Sequence, residues 1–271
     1  MIILAATPIG NLSDASPRLV EALENAKFIA AEDTRTTLKL AGSLGIHLNA
    51  KLFSLNEQNE GSRLEQLVAL AAEDDLLVVS DAGMPTVSDP GFQLVRAAVA
   101  ANVEVTVIPG PSAVISALAV SGLATDRFTF EGFLPRKTGE RKKIFTELQN
   151  ERRTMVFFEA PHRILESLED AASVLGSDRK ASVSRELTKK FEQTVRGSIS
   201  ELIDWAKGEP KGEMVLVISG SEAAEVSIES LVPKVLKLAA ETGLKQAVAE
   251  IAGAYGVSKS ELYQASLDAR A

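Results

Sequence analysis

Along the first 120 residues, short apolar runs alternate with longer stretches in which apolar residues recur every three or four positions. The short runs predict buried strands, and the longer stretches predict amphipathic helices. The predicted strands are 2–6, 28–32, 76–80 and 103–108, and the predicted helices are about 17–26, 35–44, 63–72, 90–101 and 113–121. Because strands that alternate with helices are joined by crossovers, the pattern predicts a mainly parallel sheet.

A similar alternation resumes after Gly122–Asp126, a small and polar segment that we interpret as a hinge between domains. The predicted strands 180–185 and 191–196 are separated by only a short charged turn, which predicts a mixed rather than a purely parallel second sheet. The predicted strands are 127–131, 154–158, 180–185, 191–196 and 213–219, and the predicted helices are about 139–149, 162–175 and 199–207.

From about residue 225 the pattern is helical only, over Leu231–Ala240, Leu244–Ala254 and Lys259–Leu267. This tail resembles a small helix-turn-helix. Its last helix offers only Lys259 to DNA phosphate, which favours a packing or substrate-proximal appendage over a DNA reader. The predicted fold is therefore α/β, with two α/β domains and a helical tail, and its predicted boundaries are 1–121, 122–222 and 223–271.

Several helix ends carry residues that commonly cap helices. The predicted caps are Ser16 before Pro17, Ser62 with Glu65, Asp89 before Pro90, Ser198 with Glu201, and Gly176 at a C-terminus.

Composition limits the possible chemistry. The chain has 271 residues and 45% hydrophobic content, enough for a substantial core. It has no cysteine and only two histidines, His47 and His162, so we expect neither disulfides nor a metal site. The six apolar residues before Thr7 follow no basic segment, and no apolar run approaches the ~18 residues of a membrane span. We therefore expect a soluble, cytoplasmic protein without a membrane partner.

The charge is unevenly distributed. The net charge is −8, which by itself disfavours binding to nucleic acid. However, residues 1–120 carry 7 basic and 14 acidic side chains, whereas residues 121–220 carry 17 and 16. Within that second range, Pro135–Arg153 has seven basic against three acidic residues, and Arg179–Arg196 has six against two. These two segments are either an ordinary solvated surface or a basic wall beside an otherwise acidic catalytic body.

Three of the predicted strands in the first half run directly into turns of Gly, Pro and small polar residues, namely Thr7–Asn11, Ser80–Gly91 and Pro109–Ala113. The carboxyl ends of parallel strands meet at one edge, where free main-chain groups bind small molecules. The sequence contains neither G-x-G-x-x-G, typical of dinucleotide sites, nor G-x-x-x-x-G-K-[ST], typical of P-loops. The nucleophile-elbow motif G-x-S-x-G is absent too. The turns therefore predict an enzyme that holds its ligand largely through main-chain atoms.

These turns belong to a set of six segments that occur in the order and spacing of a known family: Thr7–Asn11, Ala31–Arg35, Ser80–Gly91, Pro109–Ala113, Gly132–Lys137 and Glu159–Arg163. Over about residues 2–220 the chain resembles the tetrapyrrole methylase superfamily. Within it, Ala31–Arg35 and Glu159–Arg163 favour the branch that methylates ribosomal RNA over the porphyrinoid branch. The resemblance implies two α/β domains, S-adenosylmethionine in the cleft between them, and a homodimer.

The resemblance also implies which residues line the S-adenosylmethionine site: Ile9, Ala82, Gly83, Met84, Val87, Ser112, Ala113, Phe158, Glu159, Leu187, Glu213 and Met214. One position departs from the porphyrinoid pattern. Gly83-Met84-Pro85 stands where those enzymes typically have Gly-Asp-Pro, so the group that contacts the polar end of the donor there is not defined by the sequence.

Methyl transfer to a ribose hydroxyl needs a group that takes the hydroxyl proton, or cations that stabilise the forming alkoxide. The candidate catalytic residues are Asp33, Glu159, His162 and Lys137, with Glu32 as a further acid. The candidate substrate-binding residues are Arg35, Arg136, Lys137, Arg163 and Arg185, and Arg141, Lys142 and Lys143 are further phosphate ligands. Purely structural roles stay open for three of them: Asp33 as a helix cap, His162 as a cap or packing residue, and Glu159 as an ion-pair partner of Arg163.

The leading functional hypothesis is S-adenosylmethionine-dependent 2'-O-methylation of a cytidine ribose in 16S rRNA, either free or in the small ribosomal subunit. C-methylation of a porphyrinoid is the alternative enzyme activity. A non-catalytic nucleic-acid-binding factor built around the helical tail is a third hypothesis.

Overall fold

Five parallel strands form the first sheet of the structure, a computed structural model that describes residues 1–221 and 227–270. The strands are β1 (Ile2–Ala5), β2 (Phe28–Ala31), β3 (Lys51–Ser54), β4 (Leu76–Val79) and β5 (Val105–Ile108), and their order is β3-β2-β4-β1-β5. The connecting helices are α1 (Pro17–Asn25), α2 (Thr34–Ser43), α3 (Glu60–Glu73) and α4 (Phe92–Ala100), and α5 (Ala113–Ser121) follows β5. The predicted parallel sheet is confirmed.

Strand β3 is absent from the prediction. It has four residues, it pairs with β2 alone at the edge of the sheet, and its first residue, Lys51, is exposed. Of its four residues only Phe53 is buried. The other strands of this sheet are equally short but lie in apolar runs, whereas Lys51–Ser54 has a polar residue at each end, so no apolar run marks it in the sequence.

The second sheet is mixed, as predicted. Its strands are β6 (Phe128–Phe133), β7 (Thr154–Glu159), β8 (Lys180–Arg185), β9 (Gln193–Ser198) and β10 (Met214–Ile218), in the order β6-β7-β10-β8-β9. Strands β6 and β7 are parallel, and the other three pairs are antiparallel. Its helices are α6 (Thr138–Glu147), α7 (Ile164–Leu175) and α8 (Ile199–Ala206).

The two sheets are joined by an apolar core to which both contribute. Ile9 from the loop after β1 packs with Val114 and Leu118 of α5 and with Val215 and Val217 of β10. Helix α5, which the sequence places in the first domain, therefore packs against the second sheet. Residues 1–220 form one compact unit. The division into domains at residue 121 stays a prediction.

Three of the five predicted caps are confirmed. Ser16 caps α1 with Pro17 at the first helical position, Ser198 and Glu201 form a capping box, and Gly176 ends α7 with φ +96°. The other two predicted caps, on α3 and α4, are wrong.

Helix α3 begins at Glu60 instead of near Ser62, and helix α4 is preceded by Gly91 rather than by Asp89. The buried Glu60 carboxylate replaces the missing cap of α4, because its Oε1 accepts hydrogen bonds from the N–H groups of Gly91 at 3.0 Å and Leu94 at 3.1 Å. The acceptor comes from a different helix, so local sequence could not reveal it.

The tail contains α9 (Ile228–Thr242), α10 (Leu244–Tyr255) and α11 (Lys259–Asp268). These helices bury their own core, which includes Leu231, Val235, Val248 and Leu262. The predicted boundary between residues 222 and 223 lies outside the described residues. Over the two described ranges, none of the helices has the length and apolar character that a membrane crossing requires.

Candidate active site

A cavity of about 410 Å³ lies between the carboxyl edge of the first sheet and the facing ends of β7 and β10. We call it the donor cavity. The turns after β1, β4 and β5 supply one wall, and the ends of β7 and β10 with the loop after β8 supply the other. Twelve of its lining residues are the twelve predicted to contact S-adenosylmethionine: Ile9, Ala82, Gly83, Met84, Val87, Ser112, Ala113, Phe158, Glu159, Leu187, Glu213 and Met214. Their role in binding stays a prediction, but the structure brings all of them together.

The first two turns are fastened to each other by main-chain hydrogen bonds. The Thr7 N–H donates to the Gly83 carbonyl at 2.9 Å, and the Gly83 N–H donates to the Thr7 carbonyl at 3.1 Å. The Thr7 hydroxyl also donates to the Ser80 carbonyl at 3.2 Å. Gly83 has φ +81°, a conformation that side-chain-bearing residues rarely adopt. These bonds hold one wall of the donor cavity in a fixed shape.

The Ser80–Gly91 loop, which forms part of this wall, has a strained backbone. Thr86 and Ser88 have φ values of +76° and +61°, which are unusual for residues other than glycine and costly for a β-branched one. Such strain persists only where the surrounding structure enforces it, and it is concentrated at functional sites. Here it bends the Ser80–Gly91 loop so that Val87, Ser88 and Asp89 line the donor cavity.

Three carboxylates, Glu32, Asp81 and Asp89, also line the donor cavity. Burial raises the pKa of Asp89 most, and the negative charges of Glu32 and Asp81 also raise it, whereas a hydrogen bond from Ser80 lowers it. The net result is a pKa of about 6. Burial also raises the pKa of Glu32 and of Asp81. The sequence interpretation missed Asp81 and Asp89 as site residues, because Asp89 before Pro90 matched a helix cap.

Asp33, a predicted catalytic residue, caps α2 instead. Its carboxylate accepts a hydrogen bond from the Arg35 N–H at 2.8 Å and pairs with the Arg35 guanidinium at 2.6 Å. The hydrogen bonds from Arg35 lower the pKa of Asp33 to about 2. Neither residue lines the donor cavity. The geometry therefore favours the structural role for Asp33 and pairs the predicted phosphate ligand Arg35 with it.

Glu159 lines the donor cavity with a carboxylate that is fully engaged. It is 2% exposed, accepts hydrogen bonds from the Ala160 N–H and the Ser167 hydroxyl, and forms an ion pair with Arg163. The ion pair with Arg163 is the structural alternative that the spacing allowed. These contacts fix the turn from Ala160 to Arg163 at the edge of the cavity.

A second, more open cavity of about 660 Å³ adjoins the first, and we call it the side cavity. It brings together three predicted residues, Arg136, His162 and Arg163, beside Phe133 and Ala160, which line both cavities. His162 is exposed there and does not line the donor cavity.

The remaining predicted cations lie outside both cavities. Lys137 is exposed and pairs with Glu140 at 3.0 Å, and Arg185 donates to Gln193 Oε1 and to the Lys211 carbonyl. Arg141 is not a phosphate ligand, because its side chain is fully buried and pairs with Asp170 at 2.6 Å. Lys142 and Lys143 also face acids, Asp170 and Glu147.

No group of three or more His, Asp or Glu side chains within residues 1–221 and 227–270 could hold a metal ion.

Comparison with solved structures defines the class of protein. The fold resembles that of the methyltransferase CobJ, with a TM-score of 0.60 and 19% identity over 81% of this chain and 94% of that one. It also resembles uroporphyrin-III C-methyltransferase from Thermus thermophilus in complex with S-adenosylhomocysteine, with a TM-score of 0.55 and 16% identity over 80% and 96% of the two chains. The model of the tetrapyrrole (corrin/porphyrin) methylases matches residues 1–203. The chain thus has the fold of the tetrapyrrole methylases and belongs to that class of proteins.

Sequence comparison identifies the branch. The chain is 47% identical to ribosomal RNA small subunit methyltransferase I of Mycobacterium tuberculosis over 99% of its length and 95% of the relative. It is 43% identical to the protein of that name from Escherichia coli O157:H7, over 98% of this chain and 94% of that relative. The RsmI C-terminal HTH domain matches residues 235–270. The chain therefore belongs to the ribosomal RNA small subunit methyltransferase I family.

Proposed function

We propose that this protein transfers a methyl group from S-adenosylmethionine to the 2'-hydroxyl of a cytidine in 16S rRNA. The observation that carries the proposal is the donor cavity, in which three Gly- and Pro-containing turns and two strand ends from the second sheet surround one space. The names of the full-length relatives support the substrate class. The porphyrinoid alternative rests only on relatives below 20% identity, which share the fold.

The donor cavity suits S-adenosylmethionine in size and chemistry. Its volume falls within the range of small-molecule sites. Ile9, Leu187 and Met214 supply an apolar wall for the flat adenine, and Glu32, Asp81 and Asp89 favour a cationic ligand. When bound, the donor supplies an electrophilic methyl group on a positively charged sulfur.

The protein must position the ribose hydroxyl and accept its proton. We propose Asp89 as the proton acceptor, because it lines the donor cavity and has a pKa of about 6, so it is mostly ionised yet basic near neutral pH. Asp33 and Glu159 are less suited, since both carboxylates are occupied by arginines. His162 and Lys137 lie outside the donor cavity, where they suit the RNA strand better than the proton transfer.

The finer assignments belong to the same proposal. The protein acts in the cytoplasm, as a homodimer, on rRNA or on the small ribosomal subunit. The residues that hold the RNA are Arg136, Arg163 and His162 of the side cavity with the adjacent Lys137. The first 121 residues and residues 122–222 are its two catalytic domains.

The decisive experiment supplies tritiated S-adenosylmethionine and small subunits from cells that lack the protein. We expect one 2'-O-methylcytidine per subunit, located by mass spectrometry of nuclease digests. Absence of transfer to this unmethylated substrate, although calorimetry shows that the protein binds the donor, would contradict the proposal. Transfer to a porphyrinoid with a change in its Soret band would favour the alternative enzyme.

A further inference from the structure

The side cavity lies directly beside the donor cavity. Phe133 and Ala160 line both, so the two cavities meet at these residues. Arg136 and His162 supply polar groups, and neither side chain makes a hydrogen bond or an ion pair with the residues that the structure describes. The side cavity therefore combines an aromatic ring with uncommitted hydrogen-bond donors.

Phe133 is presented by an irregularity in the second sheet. The pairing of β6 with β7 shifts register between Phe130 and Phe133, and Gly132 has φ +72° at that point. A bulge of this kind re-aims the side chain that follows it. The Phe133 ring packs on Phe158, with ring centroids 5.3 Å apart, yet the residue remains 60% exposed. An aromatic ring that is supported on one side and largely exposed can stack on a nucleobase.

Buried ion pairs fix both walls of the side cavity. The fully buried Arg141 guanidinium pairs with Asp170 and donates from Nη1 to the carbonyls of Pro135 at 3.2 Å and Arg136 at 3.3 Å. On the opposite wall, Glu159 holds Arg163 and the Ala160 N–H. Arg136 and Phe133 therefore stand on a preformed surface, which reduces the entropy lost on binding.

We propose that the side cavity binds the nucleotide next to the one that is methylated, with its base stacked on Phe133 and its phosphate bound by Arg136. The inference rests on the proposed RNA methylation and extends it by a specificity subsite for an unpaired strand. Stacking inside a helix would hide the faces of the flanking base, so the subsite selects a nucleotide that is unstacked and splayed out of a helix.

The test compares Phe133→Ala and Phe133→Trp with the matched control Phe128→Ala, which removes an exposed ring at the other end of the same strand. With small subunits as substrate, we expect Phe133→Ala to raise KM for the subunits by about ten-fold or more, the loss typical of one stacked base. Phe133→Trp should retain near wild-type KM, and Phe128→Ala should be unchanged.

Arg136→Gln tests the phosphate contact separately. We expect binding of the small subunit to weaken and the salt dependence of the affinity to fall by about one unit of slope, as for the loss of one phosphate contact. Calorimetry with S-adenosylhomocysteine should give the wild-type Kd for Arg136→Gln. For Phe133→Ala, whose ring also lines the donor cavity, it should give a change in Kd much smaller than the change in KM for the subunits.

The outcomes separate this inference from the proposed function. If the wild type methylates the subunits but Phe133→Ala behaves like Phe128→Ala, the subsite is wrong while the activity stands. If Phe133→Ala loses affinity for S-adenosylhomocysteine as strongly as for the subunits, the ring belongs to the donor site alone. If the wild type itself does not methylate the subunits, the proposed function fails first.

Discussion

Asp89 shows how a single residue acquires chemistry from its surroundings. In the chain it precedes Pro90 and matches a helix cap, but the strained loop carries it into the donor cavity beside Glu32 and Asp81. Removal from water makes its charged form costly, and two neighbouring carboxylates add to that cost. As a result, the Asp89 carboxyl has a pKa of about 6, closer to neutral pH than that of an exposed aspartate.

The first prediction concerns activity and pH. Asp89→Asn should lower kcat by about 100-fold or more, because an amide cannot accept the hydroxyl proton. In the wild type, the rate should fall as pH falls through about 6, since Asp89 then becomes protonated. Methyl transfer measured between pH 5 and 8 checks both statements, with the exposed Asp75→Asn as control. An acid limb unchanged in Asp89→Asn would exclude Asp89 as the base.

The second prediction concerns stability. Because burial raises the folded-state pKa of Asp89, its ionisation destabilises the fold, and the penalty grows as pH rises from about 4 to about 6. Asp89→Asn should therefore raise Tm more at pH 8 than at pH 4.5. Scanning calorimetry at the two pH values measures this difference. An equal Tm change at both would mean that Asp89 titrates normally in the folded protein.

At the scale of elements, a side chain of α3 caps the N-terminus of α4. Glu60, at the start of α3, supplies the hydrogen-bond acceptor that the N-terminus of α4 lacks. Gly91, whose N–H donates one of these bonds, also ends the cavity-lining loop. The position of that loop therefore depends on a side chain from a different part of the sequence.

The third prediction follows from this contact. Glu60→Ala leaves two buried N–H groups without an acceptor, so the free energy of unfolding should fall by about 1–3 kcal/mol. Affinity for S-adenosylhomocysteine should fall as well, because the loop loses its anchor. Urea unfolding and calorimetry measure the two effects. Glu65→Ala, at an exposed position of the same helix, should match the wild type in both.

The fourth prediction concerns α6 and α7, which are joined by the buried pair of Arg141 and Asp170. Asp170→Ala leaves the guanidinium buried without its main partner, so the free energy of unfolding should fall by about 3–5 kcal/mol. Glu147→Ala removes the exposed partner of Lys143 and should change the free energy of unfolding by less than about 0.5 kcal/mol. Equal urea midpoints for the two variants would show that burial does not strengthen the Arg141 pair.

For the whole molecule, the important fact is where the donor cavity is built. Among the residues that the structure describes, those that line it all lie between Ile9 and Val215, inside the compact unit of residues 1–220. The tail has a separate apolar core. We therefore expect donor binding to be independent of the helical tail.

The fifth prediction tests this independence. A chain that ends at residue 220 should bind S-adenosylhomocysteine with the affinity of the full chain, because it retains the complete cavity. Calorimetry on both proteins makes the comparison, and circular dichroism verifies that the shortened chain is folded. A folded but non-binding short chain would show that the tail contributes to the donor site.

The parallel first sheet, the mixed second sheet and the confirmed caps could be predicted from the residues alone, whereas the twelve residues that meet in the donor cavity were implied by the family resemblance. Periodicity, capping and turn chemistry are local, so they can be read along the chain. The resemblance to the tetrapyrrole methylases then placed the turns and strand ends around one ligand.

Which polar groups are free to act became visible only in the folded structure. There, Asp33 caps a helix, Arg141 forms a buried ion pair, Glu159 supports a turn, and Asp89 and Phe133 lie in the cavities. Desolvation, ion pairing between distant segments and the bulge before Phe133 depend on residues far apart in the chain. No local pattern records them, because their energy exists only when the two sheets and their loops are assembled.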